Sequence, residues 1–77
     1  MEELKFYYLP TCLFCQKVLQ FMNSNGIIID MRSTTEPEHR DFLLTHGGKN
    51  QVPCLFIGDT AMYESKDIIE YLRSRFL

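Results

Sequence analysis

Apolar positions fall into short blocks whose spacing changes along the chain. Leu4 to Leu9 (Leu-Lys-Phe-Tyr-Tyr-Leu) is apolar and aromatic and is stopped by Pro10, which predicts a first strand in the interior of a sheet. From Leu13 to Asn25 the period changes. Cys15, Val18, Leu19 and Met22 share one helical face, and Asn25-Gly26 supplies a stop that tolerates left-handed backbone. Ile27-Ile28-Ile29 is β-branched and of strand length; reached through a helix, it is expected to pair in parallel with the first strand.

Ser33 to Thr35 then offers capping groups, Thr35 and Glu38 are spaced as a capping box, and Pro37 falls in the first turn, where a missing N–H does least harm. The second helix should run to about His46 and end at Gly47-Gly48. Cys54-Leu55-Phe56-Ile57 reads as a third strand, turned by Gly58-Asp59 into a short fourth from Thr60 to Tyr63. Ser65 is placed to cap a last helix whose buried stripe is Ile68, Ile69, Leu72 and Phe76, with Arg73 and Arg75 at the negative end of its dipole. The order is β-α-β-α-β-β-α: an α/β fold with a four-stranded mixed sheet flanked by three helices. Such sheets tend to carry sites at the carboxyl ends of their strands.

Composition narrows the function classes. Seventy-seven residues at 45% hydrophobic suffice for one small domain, residues 1–77, with a core that needs no staples. A net charge of −2 with scattered basic residues leaves no footprint for nucleic acid or an anionic membrane. The acidic start Met1-Glu2-Glu3 lacks the basic region of a targeting peptide, and no stretch reaches membrane-spanning length, so a soluble intracellular protein is expected. Three cysteines, an odd count, suit a reducing compartment better than a disulfide framework.

The chemistry concentrates in Cys12-Leu13-Phe14-Cys15, a CxxC at the junction of first strand and first helix. Half of a zinc site is one alternative, with His39, His46 and Cys54 as further ligands, but no second CxxC or ordered Cys/His pair completes it, and no metal is expected. Redox exchange fits better. A free thiol with a pKa of about 8.5 is mostly protonated at neutral pH, and the unpaired N–H groups and positive dipole end of a helix start stabilise the thiolate. The two-residue spacer brings Cys15 one turn along, where it can attack a mixed disulfide on Cys12. Cys54 is either an oxidisable neighbour of the site or a buried strand residue, and the histidines read as solvated.

The element order, the CxxC after the first strand and Val52-Pro53 opening the third together resemble the glutaredoxin branch of the thioredoxin fold, over essentially the whole chain. Lys17, Arg40 and Gly48 fall at that family's spacing. The resemblance implies that Cys12 is the exposed nucleophile and Cys15 the resolving thiol. It makes Pro53 a cis-proline and lets the Val52 backbone pair with the cysteinyl part of glutathione; Phe14 either stacks against a partner or shields the disulfide, and its position favours the first. Arg40 would assist the glycine carboxylate or form a surface salt bridge. Near the last helix, Tyr63-Glu64-Ser65-Lys66-Asp67-Ile68 is more similar to the Glu-Ser cap of glutathione transferase N-terminal domains, which makes Glu64 and Ser65 candidates for the γ-glutamyl end.

Two departures stand out. Leu9 occupies the place of the usual lysine, which should leave the Cys12 thiolate less well stabilised than in relatives bearing it, and Leu13 replaces the usual proline, bringing an N–H of its own toward the sulfur. The expectation is a cytoplasmic, monomeric glutathione-dependent oxidoreductase. It would reduce glutathionylated or disulfide-containing proteins, with glutathione as cosubstrate and no bound prosthetic group. The alternatives are an electron donor recycled by thioredoxin reductase, and a non-turnover module that binds glutathione or carries an iron–sulfur cluster.

Overall fold

The computed structural model describes residues 3–77; Met1 and Glu2, the start of the acidic N-terminus, lie outside the described residues. The elements are β1 (Leu4–Tyr8), α1 (Leu13–Ser24), β2 (Asp30–Ser33), α2 (Pro37–Gly47), β3 (Cys54–Ile57), β4 (Thr60–Met62) and α3 (Ser65–Phe76). The sheet order is β2-β1-β3-β4. β1 pairs with β2 in parallel and with β3 antiparallel, and β3 pairs antiparallel with β4. This is the thioredoxin-like arrangement, a four-stranded mixed sheet with three helices.

The period-2 rule divides each strand between two faces. Leu4 and Phe6 of β1 join Leu55 of β3 on one face, where Val18 and Met22 of α1, Ile27, and Ile68 and Leu72 of α3 close over them. On the other face Tyr7, Cys54 and Phe56 meet Leu43, the one buried residue of α2. Because helices cover both faces, the central strands are apolar on both sides, which is why β1 reads as a continuous run.

Three details depart from the sequence pattern. The second strand is not Ile27-Ile28-Ile29 but Asp30–Ser33, starting where Asp30 comes opposite Lys5. Ile27 turns into the core, while Ile28 is 91% exposed, so the isoleucines are the approach to the strand. The strand can be polar because it lies at the sheet edge, and the Asp30–Arg32 pair at 2.9 Å faces solvent.

The capping box before α2 does not form. Glu36 holds the N-cap position without a side-chain bond, while the hydroxyls of Thr35 and Ser33 bond each other at 2.8 Å. The end of α2 is as expected, with Gly48 left-handed at φ 85° and its N–H donating to Leu44 O. At α3 the N-cap residue is Glu64, whose carbonyl accepts the N–H of Ile68 at 2.9 Å, and Ser65 is the first helical residue. The stripe narrows to Ile68 and Leu72 at its centre, because Phe76, 42% exposed, lies at the helix end.

Candidate functional site

The CxxC lies where β1 hands over to α1. The Cys12 N–H donates to Leu9 O at 3.1 Å, closing a turn around Pro10, and Gln16 Nε2 bonds Pro10 O at 3.0 Å. Cys12 is the N-cap residue of α1 in extended conformation, and its sulfur accepts the backbone N–H of Cys15 at 3.4 Å. The amide that reaches the sulfur is thus that of Cys15, not that of Leu13. No acidic residue stands in the first turn of α1 to oppose a thiolate.

The two thiols have opposite surroundings. Cys12 is partly exposed and Cys15 fully buried. Burial, with a further contribution from the neighbouring Cys12, pushes the Cys15 thiol up to about 12. The spacer between them stands in solvent: Leu13 is 74% and Phe14 58% exposed, and the Lys17 ammonium lies 5.3 Å from the centre of the Phe14 ring.

Beside the CxxC is a groove of about 180 Å³ lined by Phe14, Gln51, Val52, Pro53, Tyr63, Glu64 and Ser65. The Val52–Pro53 peptide is cis. Three segments far apart in sequence converge here: the first turn of α1, the loop from α2 to β3, and the start of α3. Of the residues singled out for glutathione, Phe14, Val52, Pro53, Glu64 and Ser65 line this groove. Arg40, exposed on α2, does not. Gln51 and Tyr63 are additions; each directly precedes a residue already singled out, and that adjacency was the available signal.

The remaining polar residues lie elsewhere. Cys54, one residue past Pro53, points away from the solvent into the cluster around Tyr7 and Phe56, and burial pushes its thiol up to about 11. His46 is exposed, as expected, but His39 is half-buried. His39 Nδ1 is 3.0 Å from Ser33 O and 3.3 Å from Glu36 Oε2, and the His46 ring stacks on Phe42 at 3.9 Å. Among the described residues, no three His, Cys, Asp or Glu side chains gather where they could hold a metal ion, and no helix is long and apolar enough to cross a membrane.

The family profile described as glutathione S-transferase, N-terminal domain, matches residues 6–76. The chain belongs to that family. No curated protein matches it significantly in sequence.

Solved structures of this thioredoxin-like fold superpose closely. Human glutathione S-transferase T1-1 in its apo form is 25% identical, with a TM-score of 0.79 over 95% of this chain and 32% of its own. A glutathione transferase homologue from Drosophila mojavensis, solved with bound glutathione, is 20% identical, with a TM-score of 0.77 over 99% of this chain and 36% of its own. A thioredoxin-like protein is 20% identical, with a TM-score of 0.76 over 94% of this chain and 97% of its own. The chain therefore spans about a third of the length of the transferases it matches and nearly all of the thioredoxin-like protein. Membership in this family and the shared fold point to a glutathione-related function.

Proposed function

We propose that this glutathione S-transferase N-terminal-type domain is a glutathione-dependent thiol–disulfide oxidoreductase of the glutaredoxin type, working through Cys12 and Cys15 in the cytoplasm. The observation that carries the reading is the partly exposed Cys12 sulfur at a helix start, accepting the Cys15 N–H, beside a groove lined by Val52, Pro53, Glu64 and Ser65. A transferase homologue solved with bound glutathione supports the choice of ligand.

The steps follow from the environments of the sulfurs. The Cys12 thiolate attacks the glutathione sulfur of a protein–glutathione disulfide. A Cys12–glutathione disulfide forms, the original S–S bond breaks, and the protein leaves as a thiolate that takes a proton from water. A second glutathione thiolate attacks the enzyme-bound glutathione sulfur, giving glutathione disulfide and restoring Cys12. For a protein disulfide, Cys15 attacks Cys12 in the mixed disulfide and expels the reduced protein, and two glutathione molecules then reduce the Cys12–Cys15 bond.

Burial above all, and the neighbouring Cys12 after it, hold the Cys15 thiol high.

The test is glutathione-coupled reduction of a glutathionylated peptide, with the intermediates followed by mass spectrometry. Wild type should turn over, Cys12→Ser should be inactive with no trapped species, and Cys15→Ser should accumulate the mixed disulfide. Turnover by Cys12→Ser at the wild-type rate would overturn the reading. A second reading, glutathione binding without turnover, is favoured by the family match over residues 6–76. It predicts saturable glutathione binding by wild type and Cys12→Ser alike, with no reduction by either.

A further inference from the structure

Tyr63 lies between β4 and α3, in the wall of the groove. Its hydroxyl donates to Gly47 O at 2.8 Å and also comes within 3.5 Å of Lys49 O, and the Lys49 ammonium sits 4.5 Å above its ring. The hydroxyl reaches that carbonyl only because position 47 is glycine: a Cβ there would run into the Tyr63 hydroxyl oxygen. Gly47 is the last residue of α2, and the segment after it leads directly to Val52 and Pro53, while Tyr63 leads directly to Glu64 and Ser65. That O–H therefore ties together the two walls of the groove, alongside the Lys49–Tyr63 ring contact and the packing of Val52 and Tyr63 on one core cluster.

We infer that Tyr63 is a positioning residue for ligand binding in this groove, its hydroxyl clasping the Gly47–Lys49 backbone so that the 48–52 segment and the start of α3 keep a fixed separation. The inference rests on the glutathione-facing reading of the groove. The hydroxyl is already engaged with a carbonyl, so its role is to hold the wall; the ligand is met by what the wall presents.

The test uses Tyr63→Phe, Gly47→Ala and the double variant, with two readouts. In the mixed-disulfide assay, Tyr63→Phe should raise KM for glutathione about fivefold, the worth of one ordinary hydrogen bond, while kcat at saturation stays near wild type. Gly47→Ala should raise KM at least as much. Added to Tyr63→Phe it should cost little more, because the hydroxyl it would strike is gone and the ring carbon behind it is 3.4 Å from the new Cβ.

Hydrogen exchange of the amides of residues 48–52 should speed up in Tyr63→Phe, whatever the enzyme does with glutathione. If wild type fails to turn over while exchange changes as stated, the proposed function falls and the clasp stands. Unchanged exchange and unchanged KM in Tyr63→Phe, or a Gly47→Ala effect as large with Tyr63→Phe as without it, would overturn the inference.

Discussion

The two faces of the sheet are built differently. Under α1 and α3 lies a mainly aliphatic core of eight buried residues among those described, Leu4, Val18, Met22, Ile27, Leu55, Ile68 and Leu72 with the one aromatic Phe6. Under α2 there are four, Tyr7, Leu43, Cys54 and Phe56, and around them ring contacts predominate, with Val52 and Ala61 beside Phe42 and Tyr63. Phe42 lies parallel to Tyr7 at 5.6 Å, His46 covers Phe42, and the Lys5 ammonium sits 5.3 Å from the Phe42 ring. The Tyr7 hydroxyl is buried there with no formed hydrogen bond, its pKa raised by burial against the opposing pull of Arg32. A face buried by two amphipathic helices has a repeating stripe, whereas a face covered by one short helix rests on a few aromatic contacts. The candidate groove draws on both: the first turn of α1 supplies Phe14, the start of α3 supplies Glu64 and Ser65, and the chain leaving α2 supplies Val52 and Pro53.

Thiol labelling separates the faces most strongly. Cys15 and Cys54, pushed up to about 12 and about 11, carry far less thiolate at neutral pH than an ordinary thiol, Cys15 the least. Iodoacetamide should therefore modify Cys12 first, Cys54 next and Cys15 last. Both buried thiols should speed up about tenfold per pH unit from pH 7 to 9, since both stay below their pKa. Mass mapping of a time course checks this, and Cys15 reacting before Cys54 would break the contrast.

Core truncation comes next. Leu72 and Leu43 are both fully buried, one on each face. Leu72→Ala should destabilise the domain by about 3 kcal/mol and Leu43→Ala by about 2, because a thinner, ring-built layer collapses more readily around a deleted side chain. Urea midpoints with unchanged slopes provide the measurement, and the reverse order would count against the comparison.

Tyr7→Phe should be neutral or stabilising by up to about 1 kcal/mol, since it removes a buried hydroxyl that has no formed bond. A clear loss in thermal midpoint would show that the pull of Arg32 on the hydroxyl outweighs the cost of burying it.

The smallest effect is at the sheet edge. The hydrogen bond from Arg32 holds the Asp30 carboxyl below the usual carboxylate range. The pair is partly exposed, so Asp30→Asn should cost about 0.5 kcal/mol or less at pH 7. The native pKa is lowered, so this contribution is complete above the unfolded value of about 3.9 and is lost as pH falls through the lower native value. The stability difference between wild type and variant should vanish there.

Most of the architecture was legible. Val18 and Met22 in α1, and Ile68 and Leu72 in α3, repeat at helical spacing because each helix lies on a deep core, and β1 is apolar but for Lys5 because it is covered on both faces. The second strand was misplaced for the complementary reason. At an edge the backbone ladder, not the side chains, decides pairing, so polar Asp30–Ser33 pairs while the β-branched isoleucines lead up to it. Thr35 at the start of α2 had the right spacing for a cap but bonds Ser33 instead, a local competition that spacing cannot resolve.

By itself the sequence determined the element order, the CxxC at a helix start and the Val52-Pro53 step, because these depend on local period, turn chemistry and residue type. Only the tertiary structure decided that Phe14, Val52, Pro53, Glu64 and Ser65 share one groove while Arg40 stands apart. It alone reveals the Tyr63–Gly47 clasp. Contacts between residues so far apart along the chain depend on how the loops close over the sheet, and no local pattern encodes that closure.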